Sequence, residues 1–312
     1  MLAIGMAGTA AATDLTMFKT VYDTDFKSFG YGGMRGLGTG SLDVAGTGSG
    51  TVTEAYLFWH GPSDAPATAA ATANADVTFN GTAITGTFLG ISSDNCWGFA
   101  NSIAYRADVT SLVTGDGTYS LSNFLKPNGV DVNGVSLIVF YDDGNTANNR
   151  DVVMFNGNDS NIQNAYDAIG WNITLDGINY TSGNASAQFH VSDGQQFSDG
   201  AIIANGQTIA PAGDVFNGTT VPAGVGGAGN GSLWDIRDFN VTSLLNPGLN
   251  SLNVNSSSNS DCLSCVLIAL DLPAGAAPPT NNVPEPGSLA LVGLALGGLT
   301  LIKRRRKVSD EA

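Results

Sequence analysis

The residues that could act as acids, bases or nucleophiles are few or lack the spacing that catalysis needs. The chain has two histidines: His60 ends the segment TVTEAYLFWHG, and His190 lies within AQFHVSDG. Serine and aspartate are abundant, but no G-x-S-x-G, H-E-x-x-H or phosphate-binding glycine loop is present. We therefore interpret both histidines as structural residues at strand ends and predict no catalytic residue.

An adjacent acidic pair lies in the run YDDGNTANNRD. A glycosidase needs two carboxylates that face one substrate, whereas neighbouring strand residues point to opposite faces. The run is better suited to Ca²⁺, which prefers carboxylate and amide oxygens on a flexible loop. An ordinary hairpin loop is the alternative, and no other cofactor is predicted. The candidate Ca²⁺ ligands are Asp142, Asp143, Asn145 and Asp151.

Aromatic residues offer a second kind of site, a platform on which sugar rings stack. Packing in a core or at a sheet edge is the alternative interpretation of each of them. The candidates are Tyr56, Trp59, Trp97, Trp171 and Trp234.

The three cysteines are Cys96, Cys262 and Cys265. The C-x-x-C spacing of the last two is found in redox and zinc sites, but there is no second C-x-x-C and no nearby histidine. Outside the cytoplasm two of the three can pair, and three pairings are open. A disulfide between Cys262 and Cys265 is the candidate, and buried thiols are the alternative.

The composition favours an all-β protein outside the cytoplasm. Charged residues make up only 12% of the 312 residues, whereas glycine occurs 41 times and hydrophobic residues reach 43%, enough for a core. The net charge is -15, yet residues 1–302 carry seven basic against 25 acidic side chains. Such a body repels nucleic acids and anionic lipid head groups, so we predict no nucleic-acid partner.

Short apolar runs separated by Gly, Asn and Asp predict strands and turns. ADVTFNGTAITGTFLG predicts a hairpin with its turn at Asn80–Gly81, and SLIVFYDDG predicts a strand buried on both faces. In WNITLDGINYTSG, Asp176–Gly177 is predicted as a turn. No window of 12 residues before Leu289 has a helical period.

An internal repeat aligns the two halves of the chain. FNGT occurs at residues 79–82 and 216–219, and Asp108–Leu112 aligns with Asn240–Leu244 before an alternating strand in both halves. Asp108 and Asn240 are predicted to cap a short turn with their side-chain oxygens. The repeat predicts two tandem jelly-roll-like β-sandwich domains. The first half, with TEAYLFWHG, YRADVTSLV and GVSLIVFYDDG, also resembles a domain common in extracellular bacterial proteins of undefined function.

The C-terminus combines three features in order. Val283, Pro284, Glu285 and Pro286 are followed by an uncharged segment, Ser288–Ile302, about 22 Å long as a helix. Five cations then place the far end in the cytoplasm by the positive-inside rule. We predict one transmembrane helix here, although it is short for a hydrocarbon core of about 30 Å. The predicted membrane-facing residues are Leu289, Leu291, Val292, Leu294, Leu296, Leu299, Leu301 and Ile302, and the basic cluster is Lys303, Arg304, Arg305, Arg306 and Lys307.

This tail closely resembles the PEP-CTERM sorting signal of Gram-negative bacteria. The resemblance implies processing near Pro284–Pro286 by exosortase, a membrane cysteine transpeptidase or protease, and a host that makes exopolysaccharide. The two prolines keep the junction extended, as a protease substrate requires. Glu285 would then be a recognition residue.

The N-terminus, MLAIGMAGTAAATDL, is interpreted as the end of a signal peptide, with small residues for cleavage before Thr13. The predicted organisation is a signal remnant at 1–12, sandwich domains at 13–155 and 156–273, a linker at 274–283 and the sorting tail at 284–307.

These patterns together predict an exported, non-enzymatic structural or adhesive protein of the cell surface or the extracellular biofilm matrix. Its precursor would be anchored in the inner membrane. The predicted partners are exosortase, the export machinery, the membrane and exopolysaccharide. A polysaccharide-binding module is the first alternative, and a secreted hydrolase is the second.

Overall fold

The computed structural model describes residues 13–227, 229–256 and 260–278. Besides strands, these residues form a four-residue helix, Ala70–Ala73, and two 3₁₀-helices, Thr110–Leu112 and Thr242–Leu244. The all-β class is therefore confirmed. The strands are β1 (Thr13–Tyr31), β2 (Gly40–Val44), β3 (Thr51–Ser63), β4 (Asp76–Phe79), β5 (Thr82–Thr85), β6 (Thr87–Ser92), β7 (Asn101–Asp108), β8 (Gly117–Ser122), β9 (Gly134–Asp142), β10 (Arg150–Ser160), β11 (Asn172–Tyr180), β12 (Ser186–Ser192), β13 (Ile202–Ala204), β14 (Gln207–Ala210), β15 (Trp234–Asn240), β16 (Gly248–Asn255) and β17 (Ser264–Pro273).

The strands form one central sheet and two outer sheets. The central sheet has nine strands in the order β15-β12-β17-β10-β1-β9-β3-β7-β6. The first outer sheet has the order β2-β8-β4-β5, and the second has the order β11-β16-β13-β14. All paired strands named here are antiparallel.

Strand β1 joins the two halves of the central sheet. Its residues Thr13–Thr24 pair with β10, whereas Asp25–Tyr31 pair with β9. The change of partner follows Asp23, which has a φ of 49°, a value that few residues other than glycine adopt. One long strand thereby contributes to both halves.

Each half of the central sheet packs on one outer sheet. Leu57 and Trp59 of β3 face the first outer sheet in one core, and Phe189 and Val191 of β12 face the second in another. The alternating residues Tyr56 and Phe58 point to the opposite face of β3, as the two-residue period of a strand requires. Strand β3 therefore buries both of its faces.

A third core lies between the two halves of the central sheet, which fold onto each other. Phe58 and Ile138 from one half and Met154 and Val266 from the other are buried there. The boundary predicted between residues 155 and 156 falls inside β10, and the described residues belong to one compact unit. The two sandwiches are therefore not separate domains: they share the central sheet and pack on each other, because strands that are apolar on both faces must be covered on both faces.

The internal repeat predicted from Asp108–Leu112 and Asn240–Leu244 is confirmed. Each segment ends a strand and continues as a 3₁₀-helix. Oδ1 of each leading residue accepts a hydrogen bond from the backbone N–H two residues later, at 2.9 Å in both cases. The strand order β9-β3-β7 corresponds to β17-β12-β15, and the two outer sheets correspond strand by strand.

One further local prediction is confirmed, and two need correction. Asn80–Gly81 connects β4 to β5 with positive φ angles, as predicted. Asp176–Gly177 is not a turn: Gly177 (φ 81°) is the extra residue of a β-bulge inside β11. The conformation that suits a glycine in a turn suits one in a bulge equally well. The structural counterpart of the first FNGT turn is Asn205–Gly206 between β13 and β14, whereas Phe216–Thr219 lies in the loop after β14.

Candidate functional site

His60 and His190 occupy equivalent positions in the repeat, four residues beyond the partners of Asp108 and Asn240. Both are fully buried between the halves of the central sheet. His60 Nδ1 lies 2.7 Å from the Oγ atom of Ser192, and His190 Nδ1 lies 2.8 Å from a serine Oγ of β9. Burial lowers the pKa of both to about 3, so both stay neutral. Each imidazole therefore joins the two halves.

The loop with the predicted Ca²⁺ ligands does not bring all four together. Asp142, Asp143 and Asn145 are exposed, and their oxygens accept hydrogen bonds from backbone N–H groups two residues later. Asp151 is only 1% exposed, and its carboxylate accepts two backbone N–H groups inside the protein. Among the described residues, no group of three or more His, Cys, Asp or Glu could hold a metal ion.

The disulfide joins Cys96 to Cys262, with Cα atoms 6.1 Å apart. The predicted pair of Cys262 and Cys265 is therefore wrong. Cys265 lies inside β17 with its side chain in the core under the second outer sheet, whereas Cys262 precedes the strand and faces the loops. Burial raises the pKa of the Cys265 thiol well above its usual value, so it is inert.

Four of the five predicted platform residues are core residues. Trp59, Trp171 and Trp234 are at most 2% exposed, and Tyr56 is 6% exposed. Trp97 is half-buried. It is therefore the one candidate of the five that can present ring area to a ligand.

Trp97 is fixed by a buried charged pair. The guanidinium carbon of Arg35 lies 3.8 Å from the centre of the ring, and the indole N–H donates to both carboxylate oxygens of Asp193 at 2.9 and 2.8 Å. Arg35 also pairs with Asp193 at 3.2 Å and donates to the amide oxygen of Asn133. Burial raises the pKa of Asp193, and Arg35 opposes that rise. A ligand would meet a ring whose position is already set.

A glycine-rich segment, residues 218–227 and 229–232, fixes the backbone that leads to Arg35. The N–H of Gly33 donates to the carbonyl of Ser232, and the N–H of Gly226 donates to the carbonyl of Gly33. Gly33 has a φ of 62°, and a Cβ atom there would lie 2.4 Å from a carbonyl oxygen. Only glycine permits this close approach of the two segments.

Trp97 forms a wall of an open cleft of about 270 Å³ beside the disulfide. Phe197, which is 46% exposed, contributes a second ring. The carboxylate of Asp261 accepts the N–H groups of Gln195 and Cys262 at 2.9 and 3.0 Å, and burial raises its pKa to about 7. Such a mixture of rings and a few convergent polar groups is typical of ligand sites. The lining residues are Asn95, Cys96, Trp97, Gln195, Phe197, Ser260, Asp261 and Cys262.

Loops from both halves of the molecule build this cleft. The loop between β6 and β7 carries Trp97, and the loop after β12 carries Phe197. The Asp94 carboxylate accepts the backbone N–H groups of Cys96 and Gly98, which shapes the turn at Trp97. The cleft therefore exists only where the two sandwiches meet.

A family model described as "Protein of unknown function (DUF3344)" matches residues 46–272. The chain belongs to this family. The DUF3344 region includes every residue that lines the cleft, whereas Arg35 precedes it.

A second model, the PEP-CTERM protein-sorting motif, matches residues 282–307 of this DUF3344 protein. The match confirms the resemblance found in the sequence. The chain is thus an exported protein with a signal for exosortase. In the parts of the chain that the structure describes, no helix is long and apolar enough to cross a membrane. The predicted signal remnant, sorting motif, membrane segment and basic cluster lie outside those parts.

No curated protein matches the DUF3344 chain. A solved structure titled "Structure of PNGF-II in C2 space group" is 13% identical with a TM-score of 0.30, over 76% of this chain and 59% of that one. An isomalto-dextranase of Arthrobacter globiformis T6, complexed with panose, is 10% identical with a TM-score of 0.23, over 74% and 36%. At these TM-scores the likeness assigns neither fold nor function.

Sequence patterns pointed to Trp97 but missed its supports. Arg35, Asp193 and Phe197 stand in segments without a motif, and 62 or more residues separate Arg35 and Asp193 from Trp97 along the chain. One available signal was Cys96 beside Trp97 in the polar run SSDNCWGFANS, since a disulfide at that cysteine would fix the loop that carries the ring.

Proposed function

We propose that this exported protein is a non-enzymatic structural or adhesive protein of the cell surface or extracellular matrix, and that it adheres by binding polysaccharide in the cleft at Trp97. The observation that carries the proposal is the fixed indole of Trp97 beside the exposed ring of Phe197. Rings pack against the C–H faces of sugars, and neighbouring polar groups bind hydroxyls.

The dimensions and composition of the cleft support a polymer as its occupant. A volume of about 270 Å³ lies below the range of about 300 to 1,000 Å³ that encloses a drug-sized ligand. The cleft is open, so a few sugar units can sit in it while the chain continues on both sides. Affinity per site would be modest, and many sites along a polymer would provide adhesion.

A binding experiment on the exported protein tests this function. We expect Phe197→Ala to weaken retardation in polysaccharide-containing gels, and affinity by calorimetry, about tenfold, the cost of one buried aromatic contact. Ile169→Ala is the matched control, because Ile169 is 66% exposed but does not line the cleft. Equal binding by both variants, or no binding by the parent to any polysaccharide, would contradict the proposal.

The location of the protein has its own test. We propose that the segment Leu289–Ile302 holds the precursor in the inner membrane until exosortase acts near Pro284–Pro286. Expression with and without exosortase, followed by fractionation and mass measurement, should give a shortened surface or matrix product only with the enzyme. An unprocessed cytoplasmic product in both hosts would contradict this route.

A further inference from the structure

We infer that the cleft at Trp97 binds uncharged polysaccharide and discriminates against polymers of uronic acids. This inference rests on the proposed function and names its ligand class. It rests on two observations: carboxylates lie at and near the cleft, and no cation is among the residues that line it.

The carboxylates near the cleft are held in place by backbone donors. Asp261 lines the cleft, and both of its oxygens accept N–H groups of neighbouring residues. Asp94 is fixed in the same way at the base of the turn that carries Trp97. Above its raised pKa of about 7, the Asp261 carboxylate is a negative charge that cannot move away from a uronate carboxylate in the cleft, and Asp94 adds a second negative charge behind the lining.

None of the described residues that line the cleft is a lysine or an arginine, so no positive charge there offsets the negative charge of Asp261. Arg35 is the cation nearest to Trp97, but its guanidinium covers the ring and bonds to Asp193 and Asn133. It is not among the residues that line the cleft. Uronates are usually bound by an arginine that donates two hydrogen bonds to the carboxylate, and no arginine of the lining can do so.

The polar groups that remain suit hydroxyls. The amides of Asn95 and Gln195 and the hydroxyl of Ser260 line the cleft and carry no charge. Asn95 is only 3% exposed; its oxygen accepts the Ser264 hydroxyl at 3.0 Å, and its Nδ2 has no partner among the described residues. A buried donor without a partner is costly, so a ligand hydroxyl or a water beneath the ligand would complete it.

The test compares neutral and acidic polymers with the exported protein. Probes are a soluble neutral β-glucan, a galactomannan, alginate and polygalacturonate, at low salt and at 0.5 M NaCl, all at a pH of about 8 so that Asp261, whose pKa is about 7, is ionised. We expect at least one neutral polymer to bind with little salt dependence and both uronans to bind at least about tenfold more weakly at low salt, with the gap narrowing as salt screens the repulsion.

Two matched variants separate charge from ring loss. Phe197→Gln and Phe197→Lys both remove the ring, but only the second adds a cation at the cleft. We expect Phe197→Lys to bind alginate several-fold more tightly than Phe197→Gln, with equal binding to the neutral polymer. Uronan binding by the parent equal to or tighter than neutral binding would overturn the inference and leave the proposed function standing. Binding to no polymer would overturn both.

Discussion

The two sandwiches of this protein share a framework but differ in their loops. Strand order, the two 3₁₀-helices and the buried histidines correspond from one half to the other. The connections do not correspond. In the first half, residues 86–100, which include β6, run from β5 to β7, whereas in the second half residues 211–233 run from β14 to β15 and include the glycine-rich segment beside Arg35.

The difference separates folding from binding within one chain. The repeated elements bury apolar faces and satisfy backbone groups, and these requirements are the same in both halves. The unrepeated loops bring together Arg35, Trp97, Asp193 and Cys262, which come from distant parts of the sequence. Changes in the framework should therefore act alike in both halves, whereas changes in the loops should act on the cleft.

The largest expected effect comes from the disulfide, which ties a loop of one half to a loop of the other across 166 residues. We expect Cys96→Ser with Cys262→Ser to lower the free energy of unfolding by about 4 kcal/mol, since a crosslink that closes a long loop restricts the unfolded chain most. Polysaccharide binding should fall at the same time. Denaturant titration and calorimetry measure both effects.

The control for that variant is Cys265→Ala, which keeps the disulfide and should keep the cleft. If the double serine variant bound polysaccharide as tightly as the parent, the loops would hold the cleft without the crosslink, and the contrast between loops and framework would be weaker than we argue.

The next effect tests whether His60 and His190 are equivalent. Burial lowers both pKa values to about 3, so each contributes stability that is present above the unfolded value, near 6.5, and is lost as pH falls below it. Between pH 6 and pH 4 the parent should lose about 3 kcal/mol more than His60→Gln, at about 1.4 kcal/mol per pH unit. His190→Gln should behave alike.

Urea titrations at three pH values measure this difference in slope. An equal slope in the parent and in both variants would show that neither imidazole stays neutral in the folded protein. A change in only one variant would mean that the two sites are not equivalent, despite their equal register.

Local signals in the sequence predicted the framework better than the site. The Asx-Val-Thr-Ser-Leu segments and the Asn80–Gly81 turn depend on neighbouring residues, and both predictions are confirmed. The packing of the two halves of the central sheet onto each other was not predictable from periodicity alone, because an apolar run without alternation shows that a strand is buried on both faces but not what covers them. The disulfide between Cys96 and Cys262 joins segments that only the packing of the two halves brings together.

A smaller effect concerns the loop that carries Trp97. Trp97→Phe keeps an aromatic ring but removes the N–H that bonds to the buried carboxylate of Asp193. We expect a loss of about 2 kcal/mol in the free energy of unfolding, typical of a hydrogen bond to a charged group. A double-mutant cycle with Asp193→Asn measures the coupling. Additive effects of the two changes would mean that the indole N–H contributes nothing to the pair.

The smallest effect compares the two framework turns directly. The hydroxyls of Thr110 and Thr242 accept the backbone N–H of Ala55 and Ala185 at 2.9 and 2.8 Å. Replacing either threonine with valine keeps its shape and leaves that N–H without a partner, so each variant should lose about 1 kcal/mol. Thr242→Val should lose slightly more, because its hydroxyl also donates to a carbonyl at 3.2 Å. The exposed serines that follow each threonine, changed to alanine, are the controls and should cost little.

Since the turns lie in different sandwiches, the double valine variant should lose the sum of the two effects. A clear excess over that sum, in denaturant titrations, would mean that the halves are coupled through their turns as well as through the core between them.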